Sequence, residues 1–121
     1  MSNSKTLLIV DDSAVSRMMM KSILGAKVPD WTLLDAPNGQ AALALCETHT
    51  IDYFSIDLNM PEPDGFQLIE MLKPRYPSEK MVLLTANVQD ATHAKAKELG
   101  VACVNKPITD ESMDQLLKAL L

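Results

Sequence analysis

The chain has 121 residues, of which 47% are apolar and 22% charged, with a formal net charge of −5. That length suits one domain around one core, and the apolar share excludes a disordered tail. The acidic balance argues against direct nucleic-acid binding, which needs a basic patch, and no apolar run approaches the roughly 20 residues that span a bilayer.

Residues 5–10 (KTLLIV) are a short unbroken apolar run, as expected of a strand buried on both faces. Residues 13–24 follow with Val15, Met18, Met19 and Ile23 at helical spacing, and Gly25 offers a stop. Residues 31–36 (WTLLDA) read as a second strand. Pro37, Asn38 and Gly39 then turn the chain into a helix over 40–48, with Ala41, Ala42, Leu45 and Cys46 in one stripe. Residues 51–56 (IDYFSI) predict a third strand, and 65–73 a helix ended by Pro74. Residues 80–85 (KMVLLT) predict a fourth strand, 88–99 an Ala-rich helix stopped at Gly100, and 101–104 a short fifth strand. The last helix, over 109–121, carries Met113, Leu116, Leu117, Leu120 and Leu121 at i, i+3, i+4, i+7, i+8. Thr109 suits its N-cap, and Asp110 and Glu111 suit the dipole in its first turn.

Five strand–helix alternations imply an α/β fold with a parallel sheet covered by helices on both faces. Sites in such sheets form outside the carboxyl ends of the strands. Asp11 and Asp12 follow the first strand, Asp57 the third, Thr85 the fourth, and Asn105, Lys106 and Pro107 the fifth. Three carboxylates on one edge repel one another, and a cation relieves that repulsion. Oxygen-only ligands select a hard ion, Mg2+ being the usual one beside phosphates. Lys106 and Thr85 supply a point charge and a hydroxyl for phosphoryl oxygens. No serine, histidine or cysteine stands among these strand-end residues, which leaves an aspartate as covalent carrier.

Each residue alone has a simpler reading. Asp11, Asp12 or Ser13 could cap a helix, Asp64 and Gly65 could be a turn, Lys106 a solvated lysine and Thr85 a strand former. The coincidence of all of them at four strand ends favours a site. His49 and His93 are expected on helix surfaces, and the eight methionines in the core. Cys46 and Cys103 have no metal or disulfide spacing, the four glycines form no nucleotide cradle, and the N-terminus lacks a secretory apolar segment, so a cytoplasmic setting is expected.

Four stretches carry a resemblance: LLIVDDS (7–13), DLNMPEPDG (57–65), LLTAN (83–87) and NKPI (105–108). In this order and spacing the sequence resembles the receiver domains of bacterial two-component response regulators, the CheY-like family, over essentially the whole chain, 1–121. The resemblance implies a flavodoxin-like (βα)5 fold of strand order 2-1-3-4-5. It implies that Asp57 accepts a phosphoryl group from a histidine of a sensor kinase or phosphotransfer protein and then switches binding to an output protein or domain. It also implies that Asp11, Asp12, Asp57 and the backbone carbonyl of Asn59 bind Mg2+, that Thr85 and Lys106 contact the phosphoryl oxygens, and that the Lys106–Pro107 bond is cis. Neither nucleic-acid contact by this domain nor turnover beyond its own phosphorylation and dephosphorylation is expected.

The sequence departs from the family pattern at Cys103, where an aromatic switch residue is usual. Ala86 should leave the phosphoryl pocket accessible, and Asn59 and Asn87 occupy positions that tune water attack. The resemblance implies a readout face made of the helix over 88–99, the fifth strand and the last helix; the first of these is poor in large apolar residues, so that face is expected to be weakly packed. Three other arrangements compete with this reading. An N-terminal receiver of a longer regulator with a DNA-binding or enzymatic output is compatible with every motif. A Mg2+-dependent phosphohydrolase of the haloacid-dehalogenase type wants an aspartate where Asn59 stands and a substrate-covering region. A degenerate binding scaffold would have lost a site residue, and none is missing.

Overall fold

The computed structural model describes residues 4–86 and 90–121. Five strands, β1 (Thr6–Val10), β2 (Thr32–Ala36), β3 (Tyr53–Asp57), β4 (Met81–Thr85) and β5 (Ala102–Asn105), alternate with five helices. These are α1 (Ala14–Lys27), α2 (Gly39–Thr48), α3 (Gly65–Leu72), α4 (Asp90–Leu99) and α5 (Asp110–Leu120), with a short 3-10 turn at Ser78–Lys80 before β4. All strand pairs are parallel and the order is β2-β1-β3-β4-β5, as expected.

Alternation along the strands divides the interior into two layers. Leu8, Val10, Phe54, Ile56 and Leu83 face α2, α3 and α4, where they meet Ala42, Cys46, Leu68, Ile69, Leu72 and Ala96. Leu7, Ile9, Tyr53, Val82 and Leu84 face α1 and α5, where they meet Met20, Leu24, Met113, Leu116, Leu117 and Leu120. Each fully buried leucine or isoleucine contributes about 1.5–3 kcal/mol by leaving water. β3 and β4 are buried along their whole length, so the backbone that carries their final residues, Asp57 and Thr85, is anchored in the sheet.

Helix boundaries follow local chemistry. Asn38 caps α2 by accepting the Ala41 N–H, Asp64 and Gln67 form a reciprocal capping box on α3, and Thr109 and Ser112 do the same for α5. Gly25 does not stop α1, which runs two residues further to Lys27. A mid-helix glycine costs only about 1 kcal/mol, and the added turn lets Lys27 pair with Asp110 at 3.0 Å and Asp114 at 2.8 Å on α5. The helix ends where Val28 precedes Pro29, a position biased away from the helical region.

Three expectations on packing need correction. The buried stripe of α1 is Met20 and Leu24, while Val15, Met18 and Met19 are exposed. α1 is apolar on several sides, so periodicity cannot select a face; the fit against Leu7, Ile9 and α5 does. The methionines therefore split: Met20, Met60, Met81 and Met113 are core, whereas Met18, Met19 and Met71 face solvent. Leu121 lies beyond α5 and is also exposed. The helix expected over 88–99 is described from Asp90, its first two residues lying outside the described ones, and it buries only Thr92 and Ala96. His49 is exposed just after α2, and His93 is half-buried on α4.

Candidate functional site: the carboxyl edge of the sheet

Parallel register brings the strand ends together. Val10 pairs with both Ala36 and Ile56, Asp57 with Leu84, and Thr85 with Asn105. The ladder continues past three strands: the Asp11 N–H donates to the Ala36 carbonyl, Leu58 to Leu84, and Lys106 to Thr85. Asp11, Asp57 and Lys106 thus stand on fixed backbone, a requirement for any site that must hold its geometry.

Asp11, Asp12 and Asp57 each direct a carboxylate oxygen into one space, and these oxygens lie within 4.8 Å of one another. Asp11 and Asp57 are buried, and Asp12 is exposed. Lys106 reaches across from β5, its Nζ 3.0 Å from Asp11 Oδ2 and 3.4 Å from Asp57 Oδ1. The other Asp11 oxygen accepts the Ser13 N–H at 2.9 Å. Ser13 itself caps α1 by accepting the Ser16 N–H. Thr85 is fully buried at the end of β4. Asn59 is exposed, and its backbone donates a hydrogen bond to Asp57. Burial, followed by repulsion from Asp11, pushes the Asp57 carboxyl from 3.8 up to about 6, against the pull of Lys106 and the Asn59 backbone. Burial opposes the charge on Lys106, but Asp11 and Asp57 outweigh it and hold the ammonium above its ordinary range.

Gly65 explains how α3 approaches so closely. A side chain there would place Cβ 2.7 Å from both the Asp57 carbonyl and the Leu58 Cα, two backbone atoms that cannot step aside. An open hollow of about 560 Å³, lined by Leu58, Asn59, Met60, Pro61, Asp64 and Phe66, adjoins the β3–α3 loop. The Lys106–Pro107 bond is cis, as expected, and so is Glu62–Pro63. Ala86 is exposed beside Thr85, and Asn87 lies outside the described residues.

Of the site residues expected from the sequence, Asp11, Asp12, Asp57 and Lys106 lie together, with Thr85 and Asn59 at the adjoining strand ends. Arg17 was not foreseen. Its Nη1 donates to the Asp11 carbonyl at 2.7 Å and its Nε to Asp35 Oδ2 at 2.7 Å. The available signal was a lone acid within the apolar β2 together with Arg17 and Lys21 one helical turn apart.

The donor set is oxygen throughout, with three carboxylates and one compensating ammonium, and it fits Mg2+ better than a softer ion. The family model for the response regulator receiver domain matches residues 7–119. This chain belongs to that family.

The receiver is 33% identical to the chemotaxis protein CheY of Bacillus subtilis over 119 residues, spanning 94% of this chain and 92% of that one. It is 29% identical over 112 residues to the sensor histidine kinase RcsC of Salmonella typhi, covering 92% of this chain but only 12% of that much longer protein. Among solved structures, chemotaxis protein CheY4 of Vibrio cholerae superposes with a TM-score of 0.84 at 25% identity, covering 98% of this chain and 99% of that one. The receiver is therefore a two-component signalling domain with the flavodoxin-like fold, and its acidic pocket is consistent with phosphoryl acceptance. Such domains act in signalling rather than in metabolic turnover as a rule. Among the described residues no helix is long and apolar enough to cross a membrane.

Proposed function

We propose that Asp57 is the phosphoacceptor of a cytoplasmic two-component relay, taking the phosphoryl group from a phosphohistidine of a sensor kinase or phosphotransfer protein. The observation that carries this is the convergence of Asp11, Asp12 and Asp57 within 4.8 Å beside the Lys106 ammonium. An Asp57 oxygen attacks phosphorus, the phosphorus–nitrogen bond breaks, and the imidazole nitrogen keeps its electron pair. Asp11, Asp12, Asp57 and the Asn59 carbonyl would hold Mg2+, which when bound neutralises charge on the transferring oxygens. Lys106 pairs with the same oxygens, and Thr85 donates its hydroxyl to the product. The two free cysteines, Cys46 and Cys103, accord with a reducing compartment.

Phosphorylation adds charge and three acceptor oxygens at the end of β3. Thr85 moves toward them and α4 follows, because α4 buries only Thr92 and Ala96 and has little to hold it. At Cys103 the half-buried thiol packs beside the α2–α4 layer, and burial pushes its pKa up, so it stays a small neutral side chain. The signal thus leaves through α4 rather than through an aromatic rotamer. Its recipient is an output protein or domain.

Incubation of the wild type and Asp57→Asn with a small phosphodonor and Mg2+, followed by intact mass measurement, tests the assignment. One added phosphoryl group on the wild type alone is expected; labelling of both proteins, or of neither, sinks it. Unchanged amide exchange in α4 upon labelling would remove the proposed output route.

A further inference from the structure

Asp12 differs from its two neighbours in the acidic group. Asp11 and Asp57 are buried and bonded, whereas Asp12 is exposed and makes no hydrogen bond or ion pair to another described residue. The region its carboxylate can reach is therefore set by its backbone. The Asp11 carbonyl and the Asp12 N–H share one rigid peptide plane. That plane is clamped on its carbonyl side by Arg17 Nη1 at 2.7 Å, and the Asp11 N–H before it is tied to Ala36 at 3.1 Å.

Arg17 is itself immobilised. Its Nε donates to Asp35 Oδ2 at 2.7 Å, while Lys21 takes the other Asp35 oxygen at 2.9 Å. Burial opposes the charge on Asp35, yet the two cations hold its carboxyl below the usual range. Asp35 sits on β2 opposite Ile9 of β1, so the anchor belongs to the sheet rather than to a loop. The guanidinium is a planar fork, and its two bonds fix the carbonyl in direction as well as distance.

We propose that Arg17 is a positioning residue for the cation site: it orients the Asp11–Asp12 peptide so that the otherwise unsupported Asp12 carboxylate meets Asp11 and Asp57. This rests on the reading that those three acids bind Mg2+. Outer partners of this kind typically contribute 10–100-fold to metal affinity.

The sign of the effect separates positioning from simple electrostatics. A guanidinium near a cation site repels the cation, so if charge alone mattered, Arg17→Ala would bind Mg2+ more tightly and Arg17→Lys would bind as the wild type does. Positioning requires both to bind more weakly, because a lysine's single ammonium, a point charge on a flexible stem, cannot hold the Asp11 carbonyl and Asp35 in the fixed directions of a guanidinium fork. In both variants Asp35 keeps Lys21, so no buried carboxylate is stranded.

The experiment is calorimetric titration of the whole chain with MgCl2 at 25 °C, with thermal unfolding in EDTA recorded alongside. An approximately ten-fold weaker Kd is expected for both variants. A purely structural staple would lower the unfolding temperature and leave Kd untouched; that result, or a Kd for Arg17→Lys within two-fold of wild type, overturns the proposal. Should Arg17→Ala be unfolded at 25 °C, Arg17→Lys decides alone. A wild type that takes up no Mg2+ defeats the metal-site reading and this proposal together, whereas a wild type that binds and an equal Arg17→Lys defeat this proposal only.

Discussion

Asp57→Asn should make the metal-free protein more stable. In the folded state burial and Asp11 raise the Asp57 pKa from 3.8 to about 6, a rise of about two pH units that already includes the relief from Lys106. Above pH 6 the folded chain must carry a charge it resists, while the unfolded chain carries it freely above 3.8. The group's contribution to stability therefore falls as pH rises between those values. At about 1.4 kcal/mol per unit the full penalty is about 3 kcal/mol, and screening at the open sheet edge reduces it to about 1–3 kcal/mol. Asparagine keeps the shape and an oxygen for the Asn59 backbone, and Lys106 keeps Asp11 at 3.0 Å. With about 2.1 cal/mol/K of unfolding entropy per residue over 121 residues, the variant should melt about 4–12 °C higher at pH 8 in EDTA. Scanning calorimetry of both proteins between pH 4 and 8 measures this. The gain should shrink below pH 6 and be mostly gone by pH 4. Mg2+ at a hundred times Kd should offset most or all of this gap, since it stabilises the binder by about 2.7 kcal/mol. A variant no more stable at pH 8, or a gain that ignores pH, would refute the account of Asp57.

Mg2+ affinity of the wild type should weaken as pH falls through about 6, because Asp57 must be ionised to act as a ligand; a Kd constant from pH 8 to pH 5 contradicts this. Lys106→Met leaves Asp11 and Asp57 without their shared cation, and should cost about 3 kcal/mol at pH 8 in urea unfolding without Mg2+. Ser55 Oγ is buried on β3 with no hydrogen-bond partner among the described residues, so Ser55→Ala should gain about 1 kcal/mol in the same assay; a loss would reveal a partner such as bound water. Gly65→Ala drives a Cβ into the Asp57 carbonyl and Leu58 Cα, and should cost about 1–3 kcal/mol and slow phosphodonor labelling; retention of both values would show that α3 can move away.

The site was legible because its chemistry sits at strand ends. Asp11, Asp12, Asp57, Thr85 and Lys106 each follow an apolar run, and a parallel sheet sends all such ends to one edge. Arg17 was hidden because its partners, a backbone carbonyl and Asp35 on a neighbouring strand, carry no spacing that sequence displays. The pKa of Asp57 was equally hidden, since it depends on how deeply β3 is buried. The α1 face was misread for a third reason. With apolar residues at Val15, Met18, Met19, Met20, Ile23 and Leu24, more than one helical stripe is available.

By itself the sequence determined the order and type of the five strands and five α-helices, the parallel sheet, the capping of α5 by Thr109, and the membership of the acidic edge. These follow from local patterns whose periods, 2 and 3.6, are properties of the backbone. Only the tertiary structure decided which side of α1 is buried, how close α3 comes at Gly65, how far Asp57 is shielded from water, and that Arg17 ties the acidic loop to β2. Each of those depends on what a residue meets across the fold, and contact between distant segments leaves no periodicity in the chain.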